Sequence, residues 1–533
     1  MAKALRRAPR SSVSLQNGPN RTKTDAEAAE VFAASLRKQF CPNPDLIPTF
    51  TLEVHRDVQT ILQLPSSQHL EPTNPSEITE IIQTLSPNKA PGPDQLTNRV
   101  IKNLPLHTIL FLTNLFNSIL RLQYFPSTWK TSTIILIPKA GKPTHIPENH
   151  RPISLLSSFS KLLERIILTR LNTIITDLQL IPNDQHGFRA QHSTIHQLTR
   201  VTNHISNNLN RQCPTAAVFL DVSKAFDRVW HEGLLYKMYT SQIPIPFIKL
   251  IHSYLSNRSS TVRVNNAYST PIHIRAGVPQ GSVLGPTLYN IYTHDIPTTD
   301  ETILAIYADD TAILSSSKLQ TAYTKRIQKH LDLITTWSRI WRILINPNKT
   351  QAIIFKNTDR LKHSSDTCNL FLDNVRLDIH NSVKYLGVIL DKKLSFTEHI
   401  RHTRTKANRI AGYLYPLHGR NSLLSLDNKL LIYKSIIRPV MTYGAPVWHN
   451  ANPQLIHTLT AKQNKILRQI TNSHYRVPND TIHNDLGIET LTEHIKTLAT
   501  QHHTKATTHT NPTISHCYIT PLYGKRKRRP TDI

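Results

Sequence analysis

The sequence predicts an α+β fold, and three features carry that prediction. Apolar residues recur at helical spacing through the opening and closing parts of the chain. Between them lie AAVFLDV and LAIYADDTAIL, continuous apolar runs of the length of buried strands. Both runs lead into carboxylates, which a buried strand tolerates only when they are paired, hydrogen-bonded or metal-bound. With 533 residues, 39% of them hydrophobic, the chain exceeds one ordinary domain, and several lobes are expected.

Taken in order, residues 1 to about 25 are basic and rich in Ser, Asn and Pro, which predicts a mobile arm. The segment AEAAEVFAASLRKQF (26–40) predicts the first helix, and a Pro-rich connection is expected over 41–75. SEITEIIQTL then predicts a short helix capped by Ser76, with Ile78, Ile81, Ile82 and Leu85 on one face. The turn PNKAPGPD breaks it. A helix follows at 106–122, a short strand within 131–142, and a turn feeding a long helix at 151–172. Beyond about 395 the pattern is again helical, with Leu426, Leu430, Tyr433 and Ile437 on one face.

Composition narrows the function classes. Lys and Arg number 63 against 35 Asp and Glu, a formal charge of +28, and such a surplus favours polyanions, most simply nucleic acid. The four cysteines, Cys41, Cys213, Cys368 and Cys517, form no CxxC pair and predict neither a disulfide framework nor a zinc knuckle. The N-terminus has no apolar signal region, and no run approaches the roughly 18 residues of a membrane span. A soluble intracellular protein, in nucleus and cytoplasm, is expected. Histidine is frequent, at 28 residues; His399/His402 and His502/His503 lack ligand-spaced partners and are read as solvated or incidental.

Chemistry concentrates in Asp221 and in Asp309 and Asp310. The 88 residues between Asp221 and Asp309 mean that only tertiary structure can join them. If their strands are neighbours, the oxygen ligands suit Mg²⁺, and two such ions can activate a 3′-hydroxyl and stabilise a departing pyrophosphate.

At these residues the sequence resembles the reverse transcriptases. VFLDVSKAFDRVWHEGLL is similar to the family's motif A, AGVPQGSVLGPTLYNIYTHDI to motif B and YADDTAIL to motif C. RPISLLSSFSKLLERII and QHGFRAQHST resemble the two finger motifs, and INPNKTQAIIF and VKYLGVILD resemble motifs D and E. The seven occur in family order across 131–395. The flanks KAPGPD and YKSIIRPVMTYGAPVW resemble jockey-like non-LTR retrotransposon enzymes.

The resemblance implies a right-hand polymerase. Its parts would be an N-terminal arm and helical extension (1–75), a pre-finger helical segment (76–117), fingers and palm (118–394), and a helical thumb with a basic tail (395–533). It implies an antiparallel palm sheet carrying the catalytic Asp residues. Asp221 and Asp309 would be the principal ligands of Mg²⁺, or of Mn²⁺ in its place. Asp310 would contribute less directly unless the turn re-aims it, since adjacent strand residues face opposite ways. Phe226 occupies the steric-gate position that selects dNTPs, against the alternative of a core ring. Gln280 and Gly281 would line the nascent base pair, and Arg151 and Arg189 would meet triphosphate oxygens unless they are merely surface arginines. Lys349 would protonate the leaving pyrophosphate, and Tyr385, Leu386 and Gly387 would form a primer grip. Asp227 is expected to cap or salt-bridge rather than bind metal. The implied partners are an RNA template, a DNA primer or target DNA, and dNTPs, with no membrane. The roughly 75 residues ahead of the first finger segment are too few for an endonuclease, so target cleavage would come from elsewhere. The alternative is a truncated or domesticated copy that only binds RNA. The run from Lys525 to Arg529 would be a nuclear address or a phosphate-binding tail.

Overall fold

The computed structural model describes residues 14–17, 20–66, 69–357 and 368–519. The run at 525–529 lies outside them, as does the arm up to residue 13. The chain forms two compact units, each gathered from separated segments. One is Met1–Pro182, Val222–Ile296 and Thr336–Leu344; the other is Asn183–Asp221, Pro297–Thr335 and Ile345–Ile533.

In the first unit, strand Thr131–Pro138 pairs antiparallel with His150–Leu155 and parallel with Arg258–Val264. Helix Asp25–Gln39 packs against this sheet. Thr24 caps it by accepting from the Glu27 N–H, Asp25 and Glu27 occupy its first turn, and Arg37 and Lys38 its last, each matching the helix dipole. Its Ala28, Ala29, Phe32, Ala33 and Leu36 share a core with Ile134, Val262, Val264 and Ile272. Leu15 is fully buried in the same cluster, and residues 16–17 pair with 20–21, so the expected mobile arm is already structured there.

Three further expectations need correction. The supposed connection at 41–75 contains helix Pro48–Gln63, because Pro48 stands at the start, where its missing N–H costs nothing, and Val54, Val58 and Ile61 bury one face. The next helix, Pro75–Gln83, is capped by Asn74 rather than Ser76. Residues 150–155 form a strand rather than a turn, and the long helix begins at Ser158. The KAPGPD turn lies against the junction between them. A Cβ on Gly92 would sit 2.5 Å from the Ser157 nitrogen, and the Ser157 hydroxyl donates to Asp94 at 2.5 Å.

Within helix Ser158–Asp177, Glu164 is fully buried. Burial pushes its pKa up. Its carboxylate accepts from Ser160 Oγ at 3.0 Å and from the Val283 and Leu284 N–H groups at 2.7 and 3.3 Å. Those two donors enter helix Gly285–Thr293 and have no intrahelical acceptor of their own.

In the second unit, five strands run in the order Ile379–His380, Gln351–Phe355, Thr215–Asp221, Asp310–Ser316, Ile303–Tyr307. Thr215–Asp221 is central and buried at every position before Asp221, which explains its unbroken apolar run. The rest is mainly helical. Leu430, Tyr433 and Ile437 are buried as expected, whereas Leu426 heads its helix directly after the Ser425 cap and stays 46% exposed.

Of the histidines read as solvated or incidental, His402 is exposed, but His399 and His502 are packed against other rings. His399 is 3% exposed and packs edge-on to Trp448. His502 stacks on His196 with centroids 4.9 Å apart; His509 meets both His192 and His196 edge-on, and His192 meets His186. Loss of water holds His186 down to about 2, His196 to about 3 and His502 to about 4, neighbouring positive charges adding to the effect. The His196 and His502 rings are neutral packing groups that fasten helix Thr194–Asn210 to Leu491–Thr507. Each has a folded pKa below its unfolded value near 6.5, so the unfolded form gains protons first on acidification. The contribution is complete above pH 6.5 and falls below it, by up to about tenfold in equilibrium constant per pH unit for each ring. Protection of residues 491–507 against hydrogen exchange, corrected for the intrinsic pH dependence, is therefore expected to fall between pH 6.5 and 5 more than that of the central strand; equal changes in protection across that range would count against this role.

Candidate active site

Sheet register assembles the acidic residues. Asp310 lies directly opposite Asp221 across the antiparallel ladder, and opposite Tyr307 on its other side. Directly paired residues project from the same face, so Asp221 and Asp310 share one. Asp309 and Ala308 form the two-residue turn between the strands, with Ala308 in the left-handed region at φ +59°. Asp310 thus shares the Asp221 face from within its strand, without re-aiming, and Asp309 is the residue that the turn carries. Crowding by protein raises the Asp310 carboxyl to about 6, and the charges of Asp309 and Asp221 push the same way.

Such a set of oxygen donors fits a hard divalent cation, which would relieve the repulsion. Among the described residues no three acidic, His or Cys side chains close into a finished cage.

The turn is braced by the segment Asp184–Gly187. The Ile306 N–H donates to the Asp184 carbonyl at 3.1 Å, and the His186 N–H to the Ile306 carbonyl at 2.9 Å. Gln185, 3% exposed, accepts with Oε1 from the N–H groups of Gly187 at 2.8 Å and Ala308 at 3.0 Å. A Cβ on Gly187 would lie 2.2 Å from the Ala308 nitrogen. Neither residue stood out in the sequence; the glycine inside QHGFRA was the available signal. Arg189, two residues beyond this segment, is half-buried, with a long 3.4 Å contact to the Gln185 carbonyl.

Lys349 reaches the same centre. Its Nζ is 3.7 Å from Asp221 Oδ2 across a partly exposed gap. The Asn346 N–H donates to the Asp221 carbonyl at 2.8 Å, and Thr350 Oγ1 accepts from the Asp221 N–H at 3.4 Å, which moors the loop.

In the other unit, the motif B loop docks on strand His150–Leu155. The Ser154 N–H donates to the Gln280 carbonyl at 2.7 Å. Gly281 has φ +117°, and a Cβ there would lie 2.6 Å from the Ser154 oxygen. Arg151 is exposed on that strand. Phe226 is half-buried and stacks on Tyr289 at 4.5 Å and 26°. Asp227 departs from expectation: it makes neither a cap nor an ion pair among the described residues, but accepts from two carboxamides, those of Gln39 and Gln280.

Residues 137–390 match the family model described as reverse transcriptase (RNA-dependent DNA polymerase). The chain is 38% identical over 505 residues to a probable RNA-directed DNA polymerase from transposon BS of Drosophila melanogaster, covering 92% of this chain and 55% of that protein. For the X-element polymerase of the same organism the figures are 37% over 534 residues, 99% and 58%. For the Drosophila melanogaster mobile element jockey polymerase they are 36% over 515 residues, 94% and 55%. Residues 137–390 are a reverse transcriptase domain. The right-hand polymerase fold implied by its motifs comes with that domain, as does use of a divalent metal in general. The chain spans little more than half the length of the curated relatives it matches.

In this chain, VKYLGVILD forms a hairpin whose tip is Leu386 and Gly387, at φ +43° and +86°. Tyr385 does not face outward as a grip residue would: it is 3% exposed and packs on Phe219 at 4.9 Å. Tyr443 closes over the tip, its hydroxyl donating to the Leu386 carbonyl at 2.8 Å.

Replacing Gly187 with Ala places a methyl carbon 2.2 Å from the Ala308 nitrogen, so the turn carrying Asp309 must move. Since misplacement by about 1 Å can cost a reaction about a hundredfold, primer extension is expected to drop by at least about tenfold while circular dichroism stays unchanged. Wild-type extension by the Ala variant would show that the brace is dispensable.

Proposed function

We propose that this chain is an RNA-directed DNA polymerase of a non-LTR retrotransposon, which adds dNTPs to a primer on an RNA template with Mg²⁺ as its cation. One observation carries the reading: Asp310 stands in register with Asp221, and Asp309 occupies the adjoining turn. A protein that only binds RNA has no use for three mutually repelling carboxylates.

In this reading Asp221, Asp309 and Asp310 hold the ions. Once bound, these ions would acidify the primer 3′-hydroxyl and offset charge on the leaving pyrophosphate. Lys349, already beside Asp221, carries the proton that the pyrophosphate takes up. Arg151 and Arg189 meet the triphosphate, and Gln280 and Gly281 line the nascent pair. Phe226, held flat on Tyr289, blocks a ribose 2′-hydroxyl. The basic surplus grips the RNA template and the DNA primer or target through phosphates, without a base code. Residues 118–394 act as fingers and palm and 395–533 as thumb. The 525–529 run addresses the protein to the nucleus. Among the described residues no helix is long and apolar enough to cross a membrane.

The test is primer extension on poly(rA)/oligo(dT) with Mg²⁺. The wild-type chain extends, whereas Asp221→Asn and Asp309→Asn each remove a negative ligand at constant size, abolishing extension and sparing hybrid binding. Hybrid binding by the wild type without extension would overturn the reading in favour of a pure RNA-binding copy.

Phe226 gives a sharper expectation. Phe226→Ala opens space that only a ribonucleotide needs. The ratio of kcat/KM for dNTP over rNTP should fall by roughly a hundredfold, equivalent to about 3 kcal/mol of relieved clash. Equal losses for both substrates would make Phe226 an ordinary packing residue.

A further inference from the structure

The Asp227 carboxylate is a buried junction between three parts of the first unit. It is 3% exposed, on the short turn Ala225–Arg228. Its Oδ1 accepts from Gln280 Nε2 at 2.7 Å and its Oδ2 from Gln39 Nε2 at 2.6 Å. Gln39, 6% exposed, ends the N-terminal helix. Each oxygen is therefore committed to a different chain segment.

The backbone around it is fixed in the same direction. The Gly277 N–H donates to the Val229 carbonyl and the Val278 N–H to the Phe226 carbonyl, both at 2.8 Å. Gly277 has φ +92°, and a Cβ there would lie 2.5 Å from the Asp227 oxygen. One residue beyond the N-terminal helix, the Phe40 carbonyl accepts from the Arg275 and Ala276 N–H groups at 3.1 Å each. The N-terminal helix thus holds the approach to motif B twice, by backbone at Phe40 and by side chain at Gln39.

We propose that Asp227 is a positioning residue that, braced by Gln39, fixes the orientation of the Gln280 carboxamide toward the incoming nucleotide. This rests on the polymerase reading above. An ionised carboxylate only accepts, so Gln280 must turn its NH₂ toward Asp227 and present Oε1 at its other end. Burial pushes Asp227 up to about 6, and the hydrogen bonds from Gln280 and Gln39 oppose that rise, so the carboxylate is ionised at neutral pH. The Gln280 backbone is held independently by Ser154. Its side chain therefore offers a nucleotide one acceptor in one orientation. An Asn at position 227 offers only one acceptor atom for two amides and adds a donor, which permits the flipped carboxamide.

The test combines kinetics with hydrogen exchange. Asp227→Asn and Gln39→Leu should each raise KM for dNTP, with the loss in kcat/KM between about tenfold and a hundredfold for Asp227→Asn and smaller for Gln39→Leu. Hybrid affinity and thermal midpoint should stay near wild type. Because Asp227 acts through Gln280, adding Asp227→Asn to Gln280→Ala should cost nothing further; additive losses would overturn the proposal. Amide exchange over residues 276–283 should quicken in both single variants, and unchanged exchange there would also overturn it. A wild-type chain that extends no primer refutes the polymerase reading instead, and the exchange measurement still decides whether the clamp exists.

Discussion

Mutual repulsion among carboxylates is the constraint on which the second unit is organised. The central strand and its hairpin neighbour set Asp221 and Asp310 face to face, with Asp309 in the adjoining turn. Left alone, three such groups drive each other apart or take up protons, and Asp310, already raised by burial, is pushed further the same way by the charges of Asp309 and Asp221. A cluster of this kind persists only if the surrounding backbone is stiff. The stiffness comes from hydrogen-bonded ladders on both sides of Asp310–Ser316 and from the Asp184–Gly187 segment beneath the turn. On the proposed reading, stability is given up locally so that a cation has somewhere to bind.

Both units solve the problem of holding a functional loop in the same way. A buried side-chain acceptor takes two donors at once. Glu164 receives the Val283 and Leu284 N–H groups, Gln185 those of Gly187 and Ala308, and Asp227 the amides of Gln39 and Gln280. In each case a glycine or a tight turn lets the backbone come close enough. A buried acceptor left short of donors is costly, so each pair resists partial opening. Loops that must bend for function are thereby kept from wandering.

How much of this could be read in the sequence depends on whether the signal was local. Asp221 and the Asp309–Asp310 pair were visible because each ends an apolar run, and helix Asp25–Gln39 because its periodicity and caps are local. Which carboxylate opposes Asp221 was not visible, since a two-residue turn decides the register and a shift of one residue exchanges Asp309 for Asp310. Helix Pro48–Gln63 was hidden by its proline, which punctuates a start as readily as a break. Glu164, Gln185 and Gln39 were hidden because a polar residue on a helix or loop looks the same whether solvent or a distant amide receives it. His502 and Tyr385 misled for the converse reason: their expected exposure ignored partners far away in the chain, His196 and Phe219.

The chain's path between its two units has a consequence for its synthesis. It changes units after Pro182, Asp221, Ile296, Thr335 and Leu344. A ribosome must therefore pass residue 344 before the first unit has all its segments, and the second waits for strand Gln351–Phe355 and the helices that follow. Until then the strand Thr215–Asp221 has emerged without one of its two neighbours, an apolar edge open to aggregation. The same path means that no single cut in the polypeptide liberates either unit whole, so dissection by truncation yields fragments of both.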